Sequence, residues 1–188
     1  MKRLVLASAS PRRKEIFEQL GFSFEIKPSS NEPPMREGED VREAVFNSAR
    51  AKAEDIFESD PDAVVVGADT VVVLDDKALG KPKDQEDAKN MLRTLSGRIH
   101  EVLTGVYLCS ENTKKGFVAS TKVEFYELSD EEIDWYVKTG EPMDKAGSYG
   151  IQCKGVRFVK GIVGDYFNIV GFPAAEFIRT FSEELKND

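Results

Sequence analysis

Hydrophobic and polar residues follow two periods along this chain, and the places where one gives way to the other define its elements. Residues 3–7, apolar from Leu4 onward, read as a buried strand. Ser10-Pro11 then starts a helix, serine at the cap and proline in the first turn, which stops near Leu20 before Gly21. Residues 22–27 alternate as a second strand, and residues 28–38 are polar and proline-containing, as in a loop. From Asp40 to about Phe57 the period is helical, with Val41, Val45, Ala49, Ala53 and Ile56 on one stripe. An apolar strand follows at 63–74, then a helix from Asp84 to Leu95 ended by Ser96-Gly97. Residues 99–109 and 117–128 read as long strands joined by the polar turn 110–116. Ser129 with Glu132 makes a capping-box signature for a helix that ends before Gly140. A short strand at 156–163 and a helix from Pro173 to about Leu185 complete the pattern. Strands alternate with helices but a hairpin interrupts them, which predicts an α/β fold with a mixed sheet. No repeat, low-complexity tract or linker divides the chain, so one domain is expected over residues 1–188.

One residue is out of place in this pattern. Residues 63–74 read AVVVGADTVVVL, and Asp69 falls in the middle of that otherwise buried run. A carboxylate there is costly unless it meets a cation or a metal or changes its protonation. The alternative is a bulge or hairpin tip at 67–70 whose aspartate bonds nearby backbone. Lys52 raises the same question on the long helix: it lies on the apolar stripe, seven residues after Val45 and four before Ile56. It either snorkels past the edge of the core or reaches a buried anion.

Further polar segments offer chemistry. Residues 6–13, LASASPRR, put small residues between a strand and a helix start, where free N–H groups and the helix dipole favour an anion. Arg12 and Arg13 oppose that dipole if they are merely structural, whereas an anion would give them a reason to be there. Gly80-Lys81-Pro82 is too short for a Walker motif and alone is a turn with an exposed lysine. Residues 140–152, GEPMDKAGSYGIQ, carry three glycines and read either as backbone closely approaching a ligand or as a surface loop. Glu32 adds a carboxylate to the loop before the long helix. His100 is the only histidine, which argues against a histidine-rich zinc site or a Ser-His-Asp triad and leaves it a structural role.

The bulk numbers narrow the class. The formal charge is 26 − 34 = −8, which disfavours nucleic-acid polymers and anionic membranes while leaving room for a small anion beside clustered cations. No apolar run reaches the roughly 18 residues of a membrane span, and the apolar start is too short for a secretory signal. Two cysteines without metal-type spacing, Cys109 and Cys153, read as reduced thiols of a cytoplasmic protein.

Taken together and in order, the segments at 8–13 (SASPRR), 67–72 (GADTVV), 80–82 (GKP), 96–105 (SGRIHEVLTG), 140–152 and 168–173 (NIVGFP) resemble the Maf family of nucleoside triphosphate pyrophosphatases over nearly the whole chain. The resemblance implies a single elongated α/β domain, a central mixed sheet flanked by helices as in the inosine triphosphatase fold, and a substrate cleft. It implies hydrolysis of a nucleoside triphosphate to the monophosphate and pyrophosphate with a divalent cation (Mg²⁺, Mn²⁺ or Co²⁺), and a homodimer is common among such proteins. Asp69 then falls on the proton acceptor and, with Glu32, on the metal contacts. Ser8, Arg12, Arg13, Lys52 and Lys81 fall on the phosphate-binding positions. At Arg12, Thr70 and Gln152 the chain is similar to the branch that prefers dTTP and UTP, and the Gln152 amide offers a donor and an acceptor to the O4 and N3–H edge of the base. Modified pyrimidine nucleotides such as 5-methyl-UTP or pseudo-UTP would suit the same pocket. One departure is that Asn31, rather than an aspartate, precedes Glu32. The competing expectation is a nucleotide-binding regulator of division or septum formation with little catalysis.

Overall fold

A computed structural model describes residues 3–36 and 38–185. Its elements run β1 (Leu4–Leu6), α1 (Pro11–Gln19), β2 (Phe24–Ile26), α2 (Val41–Ser59), β3 (Val64–Leu74), β4 (Lys77–Leu79), α3 (Gln85–Leu95), β5 (Ile99–Cys109), β6 (Lys114–Phe125), α4 (Asp130–Val137), β7 (Val159–Val163), α5 (Tyr166–Val170) and α6 (Ala174–Thr180), with three short 3-10 turns between α4 and β7. The strands form one seven-stranded sheet in the order β2-β1-β3-β5-β6-β7, with β4 paired to β3. β1 runs parallel to both β2 and β3, whereas β3–β4 and β6–β7 are antiparallel, so the sheet is mixed as the pattern of elements predicts.

The helix starts are where their caps put them. Ser10 accepts from the Arg13 amide and Pro11 occupies the first turn of α1. Asp40 accepts from the amides of Arg42 and Glu43 at the head of α2. Ser129 and Glu132 complete both bonds of a capping box on α4. The elements differ from the sequence expectation in several places. β3 is a continuous strand through Gly67–Thr70, so Asp69 is in neither a bulge nor a hairpin tip. Residues 154–158 coil into a 3-10 turn, and the strand expected from 156 begins only at Val159. β6 begins at Lys114, which shortens the turn before it. β4 and α5, three and five residues long, were not anticipated, and the last helix ends at Thr180.

The chain folds as two compact units, one within Met1–Thr70, Thr104–Ala119 and Gly171–Asp188, the other within Val71–Leu103 and Ser120–Val170. In the first, α2 lays Ala49 and Ala53 over Val5, Ala7 and Val65. Its other apolar focus is Phe17 of α1, whose ring meets those of Phe22, Phe24, Phe172 and Phe177. Arg13 precedes Phe17 by four residues and so shares its inward face. In the second unit α3 and α4 cover Val72, Val102, Val123 and Phe125. No helix among the described residues is long and apolar enough to cross a membrane. Cys109 and Cys153 are both free thiols, Cys109 buried and its thiol pushed up by desolvation.

His100 has the structural place expected of it. It is 2% exposed, Nε2 lies 2.7 Å from the Tyr149 hydroxyl, and its ring stands edge-to-face with Phe125. Burial lowers its pKa from 6.5 to about 4. The folded state therefore refuses a proton that the unfolded chain accepts below pH 6.5. Stability must fall as pH drops from 6.5 towards 4, by about 3 kcal/mol in all and about 2 kcal/mol by pH 5. Thermal midpoints at pH 7 and pH 5 check this: about 4–8 °C should separate them, and His100→Gln should remove most of the gap.

Candidate active site

Asp69 shares a face of β3 with Val65 and Gly67, because side chains alternate along a strand. α2 packs on that face with almost no separation. A Cβ at Gly67 would stand 2.2 Å from the Ala49 carbonyl oxygen and 2.8 Å from the Ala53 nitrogen, and one at Gly105 of β5 would stand 2.5 Å from the Val45 carbonyl oxygen. The two glycines give α2 a floor on which backbone meets backbone. Lys52 leaves the helix at this level. Its Nζ donates to Asp69 Oδ1 at 3.0 Å and to Glu32 Oε1 at 2.8 Å.

Burial decides between the two readings of Lys52. The residue is 8% exposed, and an ammonium withdrawn that far from water costs several kcal/mol unless anions meet it. Snorkelling is corrected: the charge stays inside and bridges two carboxylates. Asp69 keeps a quarter of its side chain open to solvent and Glu32 about three-fifths, so both can also meet a ligand.

On the other face of β3, Thr70 joins a second cluster. Arg13 donates from Nε to the Gly171 carbonyl at 2.9 Å, from Nη1 to Ser8 Oγ at 3.0 Å and from Nη2 to Thr70 Oγ1 at 3.0 Å. Thr70 Oγ1 is also 3.0 Å from the hydroxyl of Thr104, which is fully buried. Arg13 is thus neither solvated nor set against a carboxylate by these bonds. Burial pulls its pKa below the usual arginine value, while the fields of Asp69 and Glu32 oppose the shift and that of Arg12 adds to it. Ser8 Oγ accepts twice, from Arg13 and from the Ser10 amide, which leaves its own proton to donate. Arg12 is half-buried one residue earlier on α1.

These residues collect where an open sheet offers a ligand room. Strands β1, β2 and β3 are parallel; Ser8 follows the carboxyl end of β1, Glu32 that of β2, and Asp69 lies beyond Val66, where the β1 pairing stops. Ligands of α/β sheets sit outside such carboxyl ends. Lys81 and Gln152 belong to the other unit, Lys81 exposed shortly after β4 and Gln152 exposed in the segment before β7. Sequence reasoning missed Thr104 and Gly171. Thr104 carried the same signal as Asp69, a polar residue inside an apolar strand, here followed by the glycine that seats α2.

The donor set bears on a metal. Among the described residues no three His, Cys, Asp or Glu side chains come together as a cage. Two carboxylates converge on one ammonium instead. Mg²⁺-like cations that travel with a triphosphate take one or two carboxylates and complete their shell with phosphate oxygens and water. Glu32 and Asp69 fit that use and not a resident protein-only site.

A family model described as Maf-like protein matches residues 3–184. The chain belongs to the Maf family. This Maf-family chain is 51% identical over 179 residues to a protein of Bacillus pumilus (strain SAFR-032) named dTTP/UTP pyrophosphatase, a match covering 95% of each. A Geobacillus sp. (strain WCH70) protein of the same name is 50% identical, over 95% of this chain and 96% of its own. Among solved structures, a HAM1 protein from Coxiella burnetii superposes with TM-score 0.50 at 17% identity, over 98% of this chain and all of that one. The Staphylococcus aureus Ham1 protein gives TM-score 0.50 at 16% identity, with the same coverage. The Maf fold here is thus shared with Ham1 proteins, and the expected α/β architecture stands.

Proposed function

We propose that this chain is a nucleoside triphosphate pyrophosphatase that hydrolyses dTTP and UTP to the monophosphate and pyrophosphate, with residues 1–188 acting as one domain. The observation that carries this reading is the buried Lys52 ammonium held between Asp69 and Glu32 at the carboxyl ends of parallel strands. The names of the 50–51% identical relatives support the same substrates.

In this reading Asp69 accepts the proton of the water that attacks the α-phosphorus, and the Lys52 ammonium, 3.0 Å from Oδ1, holds the Asp69 carboxylate in place. The Ser8 hydroxyl donates its remaining proton to a phosphate oxygen. Arg12, Arg13 and Lys81 offset the charge of the triphosphate and of the departing pyrophosphate. Arg12, Thr70 and Gln152 select the pyrimidine. A divalent cation (Mg²⁺, Mn²⁺ or Co²⁺) would be held by Glu32 and Asp69 and would supply charge neutralisation and a more acidic water. A homodimer is the assembly that goes with this reading, and its mass in solution tests it.

Pyrophosphate release measured across a panel of nucleotides tests the function. dTTP and UTP should exceed purine triphosphates in kcat/KM by at least about tenfold, the scale of one good hydrogen bond. Tight nucleotide binding without release under any of the three cations would sink the enzyme reading and favour the division regulator. Higher kcat/KM for 5-methyl-UTP or pseudo-UTP would move the substrate to modified pyrimidines.

A further inference from the structure

The unit that holds Gln152 carries a second constellation. Glu141 opens a 3-10 turn after Gly140, and its side chain turns back into the protein. Oε1 accepts from the Tyr136 hydroxyl at 2.8 Å and from the Gly155 amide at 3.4 Å, while Oε2 accepts from the Lys154 amide at 3.3 Å. The same Tyr136 hydroxyl accepts from the Gly150 amide at 3.1 Å. Tyr136 is fully buried; desolvation and the Glu141 carboxylate push its phenol up, so it stays a donor.

These bonds grip the two feet of a short arch, Gly150 on one side and Lys154-Gly155 on the other. The Cys153 amide closes it on the Gly150 carbonyl at 3.4 Å. Gln152 stands exposed between the feet. The arch has no slack: a Cβ on Gly155 would lie 2.8 Å from the Gly150 oxygen and 2.9 Å from the Tyr136 hydroxyl. Just before it, Ser148 is fully buried at φ +62°, a conformation a serine keeps only where its surroundings over-determine it. The nearby Lys145 ammonium goes to the Glu141 main-chain carbonyl and to Asp144, which leaves the Glu141 carboxylate to the phenol and the two amides.

We propose that Glu141 is a positioning residue for substrate selection: through Tyr136 and the amides of Lys154 and Gly155, its carboxylate fixes the arch that presents Gln152 to the base. The inference rests on the reading of Gln152 as the group that selects the pyrimidine.

The test compares Glu141→Ala, Glu141→Gln, Gln152→Ala and the Glu141→Ala/Gln152→Ala double variant. It uses kcat and KM for dTTP and dATP, and hydrogen exchange of the Lys154 and Gly155 amides. Glu141→Ala should speed that exchange and raise KM for dTTP about tenfold, with the loss falling on KM more than on kcat. Its preference for dTTP over dATP should drop to the level of Gln152→Ala, and the double variant should fall no further, since the two act as one unit. Glu141→Gln keeps an acceptor oxygen and should recover part of the preference. If Glu141→Ala fails to fold, Tyr136→Phe, which releases the Gly150 foot and removes the phenol that holds the Glu141 carboxylate, carries the comparison. Full preference in the Glu141 variants beside its loss in Gln152→Ala would leave the base reading standing and overturn the role of Glu141. Full preference in Gln152→Ala would sink the base reading and the inference together.

Discussion

Asp69→Asn should lose about 10²-fold or more in kcat with dTTP and UTP while folding normally. The substitution keeps the shape of a side chain that stands in the middle of β3 and removes only its charge and basicity. Lys52 retains Glu32 at 2.8 Å, so its ammonium is not stranded, and the thermal midpoint should move little. An amide cannot accept the proton of an attacking water, and no second carboxylate stands on β3 to replace it. Titrating Mn²⁺ separates the two offices given to this residue. If Asp69 is the base, the deficit persists at saturating cation; if it is chiefly an anchor for the cation, the rate climbs back as Mn²⁺ is raised. Retention of most turnover at ordinary Mn²⁺ would remove Asp69 from proton transfer altogether.

That one residue is legible as unusual from the sequence because its cost is local: a carboxylate within an apolar run has to be explained wherever the strand lies. The capped helices were legible for the same reason. Ser10-Pro11, Asp40 and Ser129 with Glu132 satisfy their own helix ends and need nothing distant. What the sequence withheld was the identity of partners. The stripe on α2 placed Lys52 facing inward, but its second anion, Glu32, comes from a loop 20 residues earlier that has no period to read. Arg13 was legible as a cation at a helix start, yet one of its acceptors is the carbonyl of Gly171, 158 residues away. The same limit explains residues 154–158, where a β-like run of valine and phenylalanine coils instead because Glu141 holds the Lys154 and Gly155 amides. β4 and α5 were missed because three or five residues cannot display a period.

Gly67→Ala should reduce both stability and turnover although it alters no group proposed to react. In an ordinary strand the exchange would be neutral or favourable, since alanine restricts the unfolded chain more than glycine does. Here the new methyl would lie 2.2 Å from the Ala49 carbonyl oxygen, a backbone atom of α2 that no side-chain rotation can move aside. The helix must lift, and overpacking of this kind costs about 1–3 kcal/mol, or about 2–12 °C in thermal midpoint for a chain of this size. Lys52 lifts with it, three residues further along, while Asp69 stays on the strand. A displacement of about 1 Å between groups that must act in register can cost on the order of 10²-fold in rate. Gly161→Ala is the control, because nothing lies within 4 Å of a Cβ there, and it should leave the thermal midpoint within a few degrees. Measuring thermal midpoints and kcat/KM for dTTP on both variants checks the argument. Gly67→Ala that melts and turns over like the unaltered chain would mean that α2 is not seated by the glycine, and that the Lys52–Asp69 pair is set by something other than the floor beneath it.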